Sequence, residues 1–186
     1  MKAIKTSESM PISVDFLTRD LLQQPGQIGM TMAPGKQDEE AEVLWNRNLQ
    51  DDLERLREHY GVERLVCLLA AEELHCLGIP DLLSEAEAYG ITPEHLPIPD
   101  DGLPESLEAF SALVNKLVNA VSSGETVLIH CKGGRGRTGM LAAACLVQLG
   151  FSPEDAIALV RQVRSGALSS AMQRDFVHQF QQSTII

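Results

Sequence analysis

Several things are missing from this 186-residue chain. No apolar run approaches the roughly 20 residues that span a bilayer, which excludes a helical membrane anchor in the sequence given. The opening stretch, Met1 to Ser9, is polar and has no apolar signal core, so the expected location is the cytoplasm. Positive charge is scarce: 15 Lys and Arg stand against 26 Asp and Glu, a formal net charge of -11. That balance argues against nonspecific nucleic-acid binding, which depends on clustered basic residues. It opposes anions at long range, but salt screens the field over roughly 8 Å, so a local basic loop can still dominate. None of the four cysteines (Cys67, Cys76, Cys131, Cys145) forms a CxxC pair, and the five histidines show no close metal spacing. No metal or other cofactor is expected from that pattern, and reduced thiols are. There is no internal repeat, no low-complexity tract and no GxxxxGK[ST] sequence, which disfavours nucleoside triphosphate hydrolysis.

What remains is the composition of a soluble globule long enough for one domain with a real core. Residues 1–26 read as an N-terminal extension and residues 27–186 as a single domain. Gln27 to Met32 suggests a strand, closed by the turn Ala33-Pro34-Gly35-Lys36. Glu39 to Tyr60 reads as one helix, because Val43, Leu44, Leu49, Leu53 and Leu56 fall near helical spacing. Arg64 to Leu69 is a short apolar run, best taken as a buried strand. Helices are expected over 70–77 and 81–89, then a short extended edge at His95 to Pro99, whose prolines exclude helix. Ser106 to Ser122 carries a helical apolar stripe, Val127 to Ile129 is a strand, and helices follow from Ser152 and from Ser170. Strands alternating with helices imply an α/β domain with a mostly parallel central sheet flanked by helices.

The densest chemistry lies at His130-Cys131-Lys132-Gly133-Gly134-Arg135-Gly136-Arg137-Thr138-Gly139, between the last strand and a helix start. A thiol at a strand end, beneath a helix N-terminus and near Arg137, is favoured as thiolate. The backbone N–H groups of residues 132–137 can turn inward as an anion nest for a phosphate held by Lys132, Gly133, Gly134, Arg135, Gly136 and Arg137. The glycines let the backbone make that turn. The Arg137 fork binds two phosphate oxygens and keeps its charge, which suits a phosphoryl transition state. Thr138 can donate its hydroxyl to the cysteine sulfur when that sulfur leaves. His130 and Cys131 point to opposite faces of a strand, so His130 is expected to brace the loop from behind rather than act as base. A rival reading exists, since Gly134 to Gly139 also spells GxGxxG. It lacks an acidic residue at the end of a following strand, and two arginines would crowd a dinucleotide. A leaving oxygen needs a proton, and Asp100 or Asp101, in Ile98-Pro99-Asp100-Asp101-Gly102-Leu103-Pro104, is the obvious supplier if that loop ends at the same sheet edge.

Residues 130–139 match HCxxGxxR[ST]G at every fixed position. The chain thereby resembles the protein tyrosine phosphatase superfamily. Its Gly-Gly-x-Gly-Arg loop and its acid loop are most similar to dual-specificity phosphatases of the kinase-associated phosphatase type, with the likeness over residues 40–181. The resemblance implies a hydrolase in which Cys131 forms a thiophosphate intermediate, Arg137 stabilises the transition state, and Asp100 or Asp101 serves as acid and then base. It implies a phosphorylated protein as substrate. It also matches Gln173 to a glutamine of the family's last active-site loop, while Ser169 stands where many members carry another glutamine. In several relatives a second cysteine, placed like Cys67, pairs with the nucleophile. A phosphoinositide substrate and a non-catalytic phosphoprotein-binding module are the alternatives.

Overall fold

A computed structural model describes residues 4–184. Two sheets and eight helices occur among them. In chain order the elements are β1 (Ile4–Lys5), β2 (Asp15–Leu17), α1 (Arg19–Leu22), β3 (Gln27–Thr31), β4 (Gln37–Asp38), β5 (Leu44–Asn46), α2 (Leu49–Glu58), β6 (Arg64–Cys67), α3 (Ala71–Cys76), α4 (Leu82–Ala88), β7 (Thr92–His95), α5 (Leu107–Ser122), β8 (Thr126–His130), α6 (Gly136–Gln148), α7 (Pro153–Val163) and α8 (Ala171–Thr184). The main sheet has the order β2-β3-β8-β6-β7. β3, β8, β6 and β7 run parallel, and β2 is an antiparallel edge. This is the expected α/β architecture.

β8 lies at the centre, and all five of its residues are buried. A strand covered by helices on both faces needs no polar alternation, so Thr126-Val127-Leu128-Ile129-His130 reads as a nearly unbroken apolar run. α6 follows it and is buried along almost its whole length. Its small residues Ala142, Ala143 and Ala144 let α5, α7 and α8 approach closely. The α5 stripe is completed by Phe110, which meets Phe176 and Phe180 of α8 edge-to-face at 5.2 and 5.6 Å between ring centroids. Such pairs add about 0.5–1.5 kcal/mol each beyond burial. No described helix is long and apolar enough to cross a membrane.

Two sequence expectations change. The single helix over residues 39–60 is instead a strand and a shorter helix: β5 pairs with β1 and β4 in a small three-stranded sheet, and α2 starts at Leu49. Asn48 caps α2, its side chain accepting from the Asp51 N–H at 2.9 Å, a helix-start signal that outweighs the apolar spacing upstream. Residues 1–26, separated in the sequence as an extension, supply from Ile4 onward β1, β2 and α1. Ile12, Leu17 and Leu22 are buried in the same core as the rest.

Candidate active site

β8 delivers Cys131 to the carboxyl edge of the sheet, and α6 begins only five residues later. The chain reverses in that span because Gly134 adopts φ +69°. A Cβ there would collide with the Thr31 carbonyl oxygen, so the position admits only glycine. The Gly134 N–H donates to Cys131 Sγ at 3.2 Å, an amide directed at the sulfur as an anion nest requires. Cys131 is 4% exposed. Behind it the His130 ring is fully buried, with Nδ1 3.3 Å from the Cys131 carbonyl oxygen. Burial pushes this imidazole down to about 4, so at neutral pH it is an uncharged brace.

Arg137 sits in the first turn of α6 and is 2% exposed. Its Nη1 donates to Glu73 Oε2 at 2.8 Å and to the Ile98 carbonyl at 2.9 Å. Its Nη2 donates to Glu73 Oε1 at 2.9 Å and to Asp100 Oδ1 at 2.9 Å. The two-pronged pairing with Glu73 fixes the plane of the guanidinium. Burial pulls the Arg137 pKa down, but Glu73, Cys131 and Asp100 more than offset it. Glu73 itself is the third residue of α3, and its Oε2 also accepts the Ala70 N–H at 3.0 Å. Burial pushes its carboxyl up, yet Arg137 and the Ala70 amide hold it below the usual carboxylate range.

The acid loop follows β7, which β6 separates from β8. It is steered back by backbone bonds from Leu96 N–H to the Cys67 carbonyl and from Ile98 N–H to the Leu68 carbonyl, both 3.1 Å. Asp100 thereby reaches Arg137. Asp101 has φ +52° and is exposed, and its N–H donates to Asp100 Oδ1 at 3.2 Å. Gln173, 1% exposed on α8, donates to the Gly102 carbonyl at 3.2 Å, and a Cβ on Gly136 would meet its Oε1 at 3.0 Å. It therefore ties the acid loop to the cysteine loop, a stronger placement than a surface helix residue. Ser169 is exposed.

Three expectations need adjustment. Thr138 Oγ1 is buried but finds no hydrogen-bond partner among the described residues, so the bond to the sulfur is not made here. Lys132 pairs with Asp38 of β4, Nζ to Oδ2 at 2.9 Å, which neutralises much of its field. Arg135 is exposed at the rim, and its carbonyl accepts from Leu168 N–H at 3.4 Å. Cys67 does sit on the strand beside β8, in register with His130. Its thiol is buried, and burial pushes it up to about 12.

Two further residues at the site have no motif to announce them. Glu73 belongs to an acidic pair opening a helix, which by itself reads as dipole complementation. Arg164, the residue after α7, is 8% exposed, and its guanidinium reaches under the cysteine loop. Its Nε donates to the Gly134 carbonyl and its Nη2 to the Gly133 carbonyl at 3.1 Å. A recess of about 420 Å3 is lined by Ala70, Glu73, Leu77, Pro99, Asp100 and Lys132.

A family profile described as cyclin-dependent kinase inhibitor 3 matches residues 3–157. The chain belongs to that family. Mouse cyclin-dependent kinase inhibitor 3 is 32% identical over 176 residues, covering 93% of this chain and 80% of the mouse protein. The human protein is 30% identical over the same coverage. The crystal structure of kinase associated phosphatase, with its catalytic-site cysteine replaced by serine, superposes with a TM-score of 0.85 at 28% identity, covering 95% of this chain and 97% of that one. The active form of Tk-PTP gives a TM-score of 0.71 at 26% identity, covering 93% and 98%. As a member of the cyclin-dependent kinase inhibitor 3 family, this chain is a cysteine-based protein phosphatase of the dual-specificity and tyrosine phosphatase superfamily. The family match begins at residue 3, so the likeness takes in the N-terminal strands that the motif-based resemblance left out.

Proposed function

We propose that the protein hydrolyses phosphotyrosine, phosphoserine or phosphothreonine in a phosphoprotein through a thiophosphate intermediate at Cys131. The observation that carries this reading is the convergence of Cys131, Arg137 and Asp100 with a loop amide already on the sulfur. The phosphate of the substrate lies in the nest of residues 132–137, with two oxygens on Arg137. The Cys131 thiolate attacks phosphorus, the bond to the leaving oxygen breaks, and Asp100 protonates that oxygen. Asp100 then takes a proton from water as the water attacks phosphorus and the S–P bond breaks. Inorganic phosphate and free thiolate result. Thr138, in the first turn of α6 with its buried hydroxyl unpartnered among the described residues, would turn that O–H to the departing sulfur. His130 and Gln173 hold the loops.

Both aspartates are exposed, and Asp100 is the chosen acid because its carboxylate already reaches Arg137 Nη2, where a substrate oxygen would displace it, whereas no such bond from the Asp101 side chain occurs among the described residues. The relatives' names point to a phosphorylated kinase as one substrate of this class. The Lys132–Asp38 pair favours a phosphoprotein over a polyphosphorylated inositol, since the basic wall such a ligand would use is already matched by a carboxylate. The test is turnover of aryl phosphates in the presence of a chelator. Cys131→Ser should abolish it. Asp100→Ala should lose about 10²–10⁴-fold with basic leaving groups and less with acidic ones. If Asp101→Ala shows that dependence and Asp100→Ala does not, the acid is Asp101. Wild-type turnover by Cys131→Ser would refute the mechanism.

A further inference from the structure

A glycine-rich loop cannot hold its own peptide planes. Between Cys131 and Gly136 stand Gly133 and Gly134, and Gly134 lies in the left-handed region. A flip of either flanking peptide would turn a carbonyl, rather than an N–H, toward a bound anion. Something outside the loop must keep those carbonyls outward. Arg164 is placed to do so: Nε and Nη2 take the Gly134 and Gly133 carbonyls. Its remaining donors decide how firmly that fork is held. Nη1 donates to the Met30 carbonyl at 3.4 Å and to Asp15 Oδ2 at 2.7 Å. Asp15 and Met30 are partners on one rung of the β2–β3 ladder, so a single rung offers both acceptors. Asp15 is the carboxylate among the four groups that the structure sets on this guanidinium. An Arg–carboxylate bond is charge-assisted and orients a planar fork more firmly than a neutral carbonyl does.

We propose that Asp15, on the N-terminal strand, is a positioning residue for the catalytic loop, acting through Arg164 to keep the loop's carbonyls out and its amides in. β2 is then part of the catalytic support. Asp15 touches neither substrate nor sulfur, so its effect falls on how well an oxyanion is held. This inference rests on the reading of the loop as the phosphate seat.

The experiment compares tungstate affinity, kcat and KM for an aryl phosphate in the wild-type protein, Asp15→Asn, Asp15→Glu, Arg164→Gln and the double variant Asp15→Asn/Arg164→Gln. Asp15 has a side chain 44% exposed, so its replacement leaves the core intact, and a melting curve for each variant confirms the fold. Asp15→Asn should weaken tungstate binding and raise KM by about tenfold, with a smaller change in kcat, since a loop displaced by a fraction of an ångström loses binding geometry steeply. Asp15→Glu should recover part of the loss. In the Arg164→Gln background Asp15→Asn should cost nothing further, because the path through Arg164 is already cut. Unchanged tungstate affinity in Asp15→Asn overturns the proposal, even if the melting temperature falls, and so does an equal additional loss in the double variant. A wild-type protein that binds no tungstate would sink the phosphatase site and this inference together, so the two failures are told apart.

Discussion

Replacing Glu73 by glutamine tests what orients Arg137. The substitution preserves shape and removes charge. One amide oxygen can still accept from one Nη, but the new NH2 then faces the other Nη–H, donor against donor. Breaking a fully buried ion pair costs about 3–5 kcal/mol. The Glu73 side chain is 25% exposed, against 2% for Arg137, so water relieves part of that cost and a loss of about 2 kcal/mol is expected. Activity should suffer more than stability. With Glu73 neutral, Asp100 becomes the stronger anchor and draws Nη2 off the phosphate position, and misplacement on the ångström scale lowers kcat/KM by about 10²-fold. Acid behaviour adds a second signature. The folded-state pKa of Glu73 is held down, so its stabilisation is complete above the ordinary carboxylate range and fades as pH falls through the folded value. Glu73→Gln should flatten that acid-side loss. Steady-state kinetics on an aryl phosphate, with urea unfolding at several pH values, measure both. A variant that is less stable yet keeps kcat/KM within about threefold of wild type would show that Arg137 needs no such anchor.

Other expectations follow from the same geometry. His130 prefers the neutral form when folded, with its pKa down from 6.5 to about 4. Its contribution is therefore full above pH 6.5 and declines as pH drops toward 4, by roughly 3 kcal/mol at about 1.4 kcal/mol per unit; His130→Asn should remove that step from a stability-against-pH curve. Lys36 is 6% exposed, with Nζ 4.4 Å from the Trp45 ring centroid, and burial pulls it from 10.5 to about 8. Stability should thus rise as pH climbs from 8 to 10.5, and Lys36→Met should be more stable at pH 7 by about 1–3 kcal/mol and lose the rise; no gain in the urea midpoint would contradict this. Gly134→Ala should lower oxyanion affinity at least about 100-fold, because the new methyl meets the Thr31 carbonyl and the φ is strained; calorimetry with tungstate is the check.

The cysteine loop was legible because it is contiguous: glycine, cysteine and arginine fall within ten residues, and their chemistry depends on local backbone. The sheet was legible for a similar reason, since buried parallel strands such as β8 carry plain apolar runs. The N-terminal half of the chain was harder. Val43 and Leu44 mimic helical spacing, yet Leu44–Asn46 takes two strand neighbours, β1 and β4, and long-range pairing overrides local period. Glu73, Asp15 and Arg164 escaped for another reason. Each is an ordinary charged residue at an element end, and its role exists only across 64, 149 and 30 residues of intervening chain, to Arg137, Arg164 and Gly134 respectively. Gln173 is buried and bonded to the Gly102 carbonyl, a placement that depends on tertiary packing rather than on a contiguous motif.

Arg137 carries its own counterion. With Asp100 already seated on Nη2, an arriving dianion exchanges with a resident carboxylate instead of meeting a bare cation. Ionic strength weakens both partners of that exchange, so the affinity for oxyanions should vary with salt far less than the charge on the guanidinium alone would suggest. On the proposed mechanism the released carboxylate would then be free to enter the cleft as it is filled, which would couple the arrival of the phosphate to the placing of the proton donor.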